Sequence, residues 1–155
     1  MRFCFSAGKL LIPFAAAVIL SIAPYRTVAA QEKNDLQSRE AAKKVCEVFL
    51  QSLAKNDTKR AFNSIKPYIS IPDKEFNEVI EEVVRQRDTL VKRFGNSQSY
   101  EFLQEQTLKD ILLKYTYIEK YQIHVIRWSF IFYKPQDKWT LNSFYWDENI
   151  KELFK

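Results

Sequence analysis

The chain of 155 residues contains only two glycines and one histidine. A phosphate-binding loop or a dinucleotide-binding turn needs several glycines close together, because the backbone must approach the phosphates. Here Gly8 and Gly95 lie far apart. Two cysteines and His124 are too few ligands for a zinc site of the usual cysteine and histidine kind. We therefore predict no metal, no cofactor and no nucleotide site of these kinds.

The first 30 residues have the pattern of a secretory signal peptide. Basic Arg2 and Lys9 precede an apolar run at residues 10–22, and the small residues at 28–30 suit cleavage before Gln31. The run is shorter than the roughly 20 residues of a membrane helix. We expect an exported protein, periplasmic or secreted, with no stable membrane span after cleavage. An uncleaved N-terminal anchor is the alternative.

The net charge of +5 belongs partly to this N-terminal segment. Residues 1–30 contain three basic residues and no acidic one, which leaves about +2 for the rest of the chain. The remaining basic residues alternate with Glu and Asp and form no block that could follow a nucleic-acid backbone. We therefore expect no nucleic-acid partner. Cys46 alone follows residue 30, so no internal disulfide is predicted, and its place in an apolar helix stripe favours burial.

After a polar extension at residues 31–37, the pattern predicts one domain over residues 38–155. Apolar side chains recur every three or four positions between Ala42 and Leu53, as they do on one face of a helix. The stretch Asn56-Asp57-Thr58 is predicted to offer the cap of a second, shorter helix. The domain thus begins with two amphipathic helices.

The third predicted helix is the longest and contains the strongest single candidate residue. Ser70 reads as the start of a capping box, and apolar residues recur on one face up to Phe94, where Gly95 suits a left-handed helix end. Arg87 falls inside this apolar stripe, whereas the other charged residues fall opposite it. A guanidinium there must pair with a carboxylate, reach the surface or line a cavity. Arg87 is therefore either half of a structural ion pair or a cation at the floor of a pocket.

Beyond Gly95 the apolar period changes from 3.6 to 2, which predicts four antiparallel strands. The first begins at Tyr100, and the others cover residues 111–118, 123–134 and 138–146. Asp147 is then predicted to cap a short tail helix.

A three-residue turn at residues 135–137 predicts the register of the last hairpin. One face is strongly apolar and pairs Trp128 with Phe144, while the other contains a predicted ion pair of Arg127 with Asp147. This second face has more apolar area than most monomers leave in water, so a homodimer is expected through it. Its candidate interface residues are Tyr133, Trp139, Leu141 and Tyr145. The alternative is that the N-terminal segment or the first helix covers it.

The order of these elements and the stretch HVIRWSFIFYKPQDKWTLNSFYWDENI at residues 124–150 resemble the nuclear-transport-factor-2-like superfamily, in particular its small exported bacterial members. The resemblance implies an α+β fold in which three N-terminal helices pack on a curved four-stranded antiparallel sheet, with a short C-terminal helix. Members include isomerases, dehydratases, hydrolases, lipid carriers and interaction modules, so the resemblance selects no reaction. Enzymes of the ketosteroid isomerase kind place an acid inside the cone, and no matching motif is found here.

The candidate pocket residues are Arg87, Tyr115, Tyr117, His124 and Trp128. His124 is the group best suited to proton transfer near neutral pH, but we assign no catalytic residue. We expect an exported, non-catalytic binding or interaction domain. It would hold a small apolar, amphipathic or anionic ligand in the cone, or a protein partner on the sheet. The alternative is a small enzyme of the isomerase, dehydratase or hydrolase type that uses Arg87 and His124.

Overall fold

The computed structural model describes residues 36–154. The predicted signal peptide, its cleavage site and residues 31–35 of the polar extension lie outside the described residues. Three helices come first: α1 (Arg39–Ala54), α2 (Thr58–Ile65) and α3 (Asp73–Phe94). Four strands follow: β1 (Ser97–Leu108), β2 (Leu112–Tyr121), β3 (Val125–Tyr133) and β4 (Thr140–Asp147). Short 3-10 segments lie at Lys66–Tyr68 and Ile150–Phe154.

The strands form one antiparallel sheet in the order β1-β2-β3-β4, which confirms the predicted α+β fold. No helix within residues 36–154 combines the length and the apolar character that a membrane span requires.

The helix ends follow local chemistry, with one correction. Within the predicted capping stretch, Asp57 caps α2, because its Oδ1 accepts a hydrogen bond from the Arg60 amide at 3.0 Å. Gly95 ends α3 with φ +80°, a conformation that a residue with a Cβ adopts only with strain. The predicted capping box at Ser70 is wrong. The N-cap of α3 is Pro72, whose side chain cannot accept a hydrogen bond, and acidic residues in the first turn complement the helix dipole instead.

The register of the last hairpin also differs from the prediction. Trp128 lies opposite Trp146, not opposite Phe144, and the β3–β4 loop covers residues 134–139. Ile131 pairs with Ser143 but its neighbour Phe132 pairs with Leu141, so Asn142 is an extra residue in β4. Such a β-bulge changes the alternation of side chains between the two faces of a strand.

The bulge places two predicted interface residues in the core. Trp139 and Leu141 are 3% and 2% exposed, so they are not available to a partner on the surface. Both are covered from within the chain. The Trp139 amide donates to the Leu36 carbonyl at 2.8 Å, and Leu141 forms a bridge with Ile69. Leu36, in the predicted N-terminal extension, therefore pairs with a core residue, and this contact does not cover the outer face.

The core lies between the helices and one face of the sheet, called here the core face. Phe49 of α1 is at its centre, with its ring centroid 5.1 Å from that of Trp128, 5.4 Å from that of Phe130 and 5.2 Å from that of Phe62. Cys46, one turn before Phe49, is also fully buried, and burial raises the pKa of its thiol. This confirms its predicted role as a core residue.

Candidate functional site

Arg87 and Glu119 form a buried ion pair between α3 and β2. Arg87 Nη1 donates to Glu119 Oε2 and Nη2 donates to Oε1, each at 2.8 Å, and the two side chains are 4% and 0% exposed. Arg87 Nη2 also donates to the Leu53 carbonyl at 3.3 Å. Burial opposes the charged form of Arg87, but the hydrogen bonds and charge of Glu119 outweigh it and raise the pKa of Arg87. Of the two predicted roles for Arg87, the structure places it in the ion pair.

Glu119 has a second partner in Trp128, whose indole Nε1 donates a third hydrogen bond, to Oε2 at 2.9 Å. The carboxylate therefore accepts three hydrogen bonds and has no contact with solvent. Sequence reasoning expected a sheet or loop carboxylate for Arg87 but did not name it. The signal was present, because Glu119 shares its strand parity with Tyr115 and Tyr117 on the core face.

Tyr115 and Tyr117 pack in the core instead of lining an open pocket. The Tyr115 hydroxyl donates to the Arg39 carbonyl at 2.7 Å. The Tyr117 ring centroid lies 5.3 Å from that of Phe102 and 6.2 Å from that of Phe130. Burial raises the pKa of both tyrosines. Together with Trp128, these rings fill the space in which a ligand in the cone was predicted.

His124 lies in the turn between β2 and β3, away from the core. Its ring stacks on Phe94 with centroids 4.2 Å apart, and its Nε2 is 3.6 Å from Glu148 Oε2. Glu148 also pairs with Arg93 at 3.1 Å. His124 lines a surface groove of about 720 Å³, a volume in the range of small-molecule sites, which Arg87 does not line. Arg87 and His124, the two residues proposed for an enzyme, therefore do not line the same groove.

The sheet face turned away from the helices, called here the outer face, contains the predicted ion pair of Arg127 and Asp147. Arg127 Nη2 donates to Asp147 Oδ2 at 2.7 Å, and the two residues are direct cross-strand partners. Of the four predicted interface residues, Tyr133 and Tyr145 are each 40% exposed.

Two grooves cross the outer face. One, of about 520 Å³, is lined by β1, β2 and β3, namely by Gln106, Thr107, Leu108, Leu112, Leu113, Lys114 and Ile131. The other, of about 380 Å³, lies where the C-terminal 3-10 segment meets the sheet, with Ile150, Leu153 and Phe154 on one side. Phe154 itself stays largely exposed. The outer face is thus apolar, open and interrupted by charges.

Within residues 36–154, no group of three or more His, Cys, Asp or Glu side chains is placed to hold a metal ion.

No protein-family model and no curated protein matches the chain. Among solved structures, the chain is similar to an NTF2-like protein of Campylobacter jejuni, named as a candidate transpeptidase. The two are 17% identical, with a TM-score of 0.45, and the match covers 66% of this chain and 97% of that one. The three helices followed by a four-stranded antiparallel sheet agree with the nuclear-transport-factor-2-like fold that the sequence resemblance implied.

Proposed function

We propose that this chain is an exported, non-catalytic binding domain that contacts its partner through the outer face of the sheet. The main support is the state of Glu119, the carboxylate inside the fold. A general acid or base must reach the substrate and exchange a proton with it. Glu119 instead accepts hydrogen bonds from Arg87 and Trp128 and is fully buried.

The aromatic core supports the same proposal. Phe49, Trp128 and Phe130 are fully buried and in ring contact with one another, so a ligand could enter the cone only by displacing them. Such displacement would open a cavity in a close-packed interior, which is unfavourable.

The outer face supports the location of the binding surface. Apolar patches that stay in contact with water commonly mark interaction sites, and tyrosine is enriched in them. Tyr133 and Tyr145 are half exposed there, next to the groove that Ile131 lines. Export rests on the pattern of residues 1–30 alone.

The enzyme alternative requires Arg87 and His124 in one pocket. Arg87 lies in the core with Glu119, whereas His124 lies in a surface turn beside Glu148. An enzyme would have to use one of them without the other, and we therefore retain the binding role.

The test compares two variants, in each of which one partly exposed apolar residue is replaced by arginine. Ile131→Arg changes the outer face, and Val48→Arg changes the exposed side of α1. Protein purified from the producing cells is examined by native mass spectrometry and sedimentation velocity. We expect a bound molecule or a second copy in the unmodified protein and in Val48→Arg, and its loss in Ile131→Arg. Unchanged mass and bound species in a folded Ile131→Arg variant would contradict the proposal.

A further inference from the structure

In the part of the chain that the structure describes, Lys114 differs from the nearby Lys120 and Lys134 because it has no acidic partner. Within residues 36–154, no carboxylate oxygen lies within 4.0 Å of its amine, whereas Lys120 pairs with Glu101 at 3.1 Å and Lys134 with Asp110 at 2.8 Å. Lys114 is half-buried on β2, and its amine approaches the hydroxyl of Tyr145. A cation thus stands on the outer face with only a neutral group beside it.

Three hydroxyl groups lie in a row across the strands next to Lys114. Thr116 is opposite Ser129, and Ser129 is opposite Tyr145. Thr116 and Ser129 are each 1% exposed, so their hydroxyl groups are out of reach of a ligand on the surface. The Ser129 hydroxyl interacts with that of Tyr145, and Tyr145, at 40% exposed, is the member of this row that a ligand on the outer face can reach.

The electrostatic surroundings of this row favour an anion. The pKa of Tyr145 is lowered by the neighbouring Ser129 hydroxyl, by Lys114 and, more weakly, by Arg127. Arg127 is compensated by Asp147, so the uncompensated positive charge belongs to Lys114.

An apolar groove begins at the same lysine. Lys114 forms part of the wall of the 520 Å³ groove, and Leu108, Leu112 and Ile131 supply its apolar surface. This volume lies within the range of small-molecule sites, which combine an apolar lining with a few convergent polar groups. The Lys114 cation at one end, beside the Tyr145 hydroxyl, and the hydrocarbon surface at the other match a molecule with the same two parts.

We propose that this groove binds an amphipathic anion, a carboxylate with an unbranched hydrocarbon chain. The carboxylate contacts Lys114 and Tyr145, and the chain lies along Leu108, Leu112 and Ile131. This inference rests on the proposed function and names the ligand class for its outer face.

The test is isothermal titration calorimetry with dodecanoate, kept below its micelle concentration. Lys114→Gln keeps most of the side-chain length but removes the charge, and we expect it to weaken binding at least tenfold. Lys120→Gln is the matched control, since Lys120 lies on the same strand and the same face, and it should change binding less than twofold. Dodecanol, which has the chain without the charge, should bind the unmodified protein at least tenfold more weakly than dodecanoate does.

Two results would overturn the ligand assignment. One is the absence of dodecanoate binding to the unmodified protein. The other is an equal loss in Lys114→Gln and Lys120→Gln, which would indicate general attraction to basic residues. If the unmodified protein binds no dodecanoate but sediments as a dimer that Ile131→Arg dissociates, the outer face belongs to a second copy, and the proposed function stands without this ligand. If Ile131→Arg alters neither mass nor dodecanoate binding, both proposals fail.

Discussion

Replacing Arg87 with methionine should destabilise the domain far more than replacing an exposed arginine of the same helix. Methionine is also a long, unbranched side chain, so the change mainly removes the charge and the hydrogen bonds. Glu119 would then stay buried with Trp128 as its remaining side-chain partner. Removing one member of a buried ion pair typically costs about 3–5 kcal/mol, because the other charge is left without compensation.

The geometry gives a similar magnitude. Two hydrogen bonds of 2.8 Å between charged groups are lost, each worth about 1.5–3 kcal/mol. The double variant Arg87→Met with Glu119→Leu removes both charges, and apolar replacement of a whole buried pair is often neutral. It leaves the Trp128 indole N–H without its acceptor, at a cost of about 1–3 kcal/mol. The double variant should therefore be more stable than Arg87→Met alone, by roughly 2 kcal/mol.

Urea unfolding followed by tryptophan fluorescence measures these differences, since Trp128 lies against the pair. Arg85→Met is the control. Arg85 is exposed and pairs with Glu82 at 2.6 Å. The free energy of unfolding of Arg85→Met should therefore differ from that of the unmodified protein by no more than about 0.5 kcal/mol. The opposite result is a free energy of unfolding of Arg87→Met within about 1 kcal/mol of that of the unmodified protein, with the same dependence on urea concentration. In that case the pair does not hold α3 to the sheet and the reasoning is wrong.

Three further predictions concern the core, a surface network and the N-terminus. Trp128→Ala should lower the free energy of unfolding by about 3–5 kcal/mol in urea titrations, and a cost below about 1 kcal/mol would contradict the packing around Phe49. Lys134 and Arg39 lower the pKa of Asp110 below its usual 3.8, so its stabilising effect is present above that value and disappears as the pH falls through the folded-state pKa. Asp110→Asn should accordingly lower the Tm near neutral pH but not in strong acid, and a difference that persists there would refute this origin. N-terminal sequencing of the periplasmic fraction should begin at or near Gln31, and an intact Met1 chain in the cytoplasm would contradict export.

The elements that could be predicted from the sequence are those whose signals are local. The apolar period of α3 and the conformational freedom of Gly95 placed the end of that helix correctly at Phe94. The hydrogen bond from the Arg60 amide to the Asp57 carboxylate depends only on neighbouring residues, and the capping stretch Asn56-Asp57-Thr58 that contains Asp57 was predicted.

The hairpin register could not be predicted, because a β-bulge has no comparable local signal. With regular alternation, Trp139, Leu141 and Tyr145 would all lie on one face of β4. The extra residue at Asn142 separates them, so that Tyr145 reaches the outer face while Trp139 and Leu141 enter the core. Contacts from distant Leu36 and Ile69 accompany this change, and no pattern within the strand indicates them.

The partner of Arg87 could be predicted only in part from the sequence. A charged residue in the apolar stripe of a helix requires a buried carboxylate, and a glutamate at the parity of Tyr115 and Tyr117 satisfies that requirement. Glu119 lies one residue beyond the strand predicted at residues 111–118, so naming it required extending that strand. The second partner of Glu119, Trp128, depends on the pairing of β2 with β3 and is a tertiary feature.

A ligand would destabilise the domain far more by binding at the core face of the sheet than by binding at the outer face. On the core face, any new occupant must displace packed rings and disturb the pair of Arg87 with Glu119. Either change lowers the free energy of unfolding by several kilocalories per mole. On the outer face, Lys114 and Tyr145 are still in reach of solvent, and the groove beside them is open. A ligand there gains contacts while the core stays closed. Binding on the outer face is therefore compatible with the stability of the domain, which is the physical reason to look for function on that side.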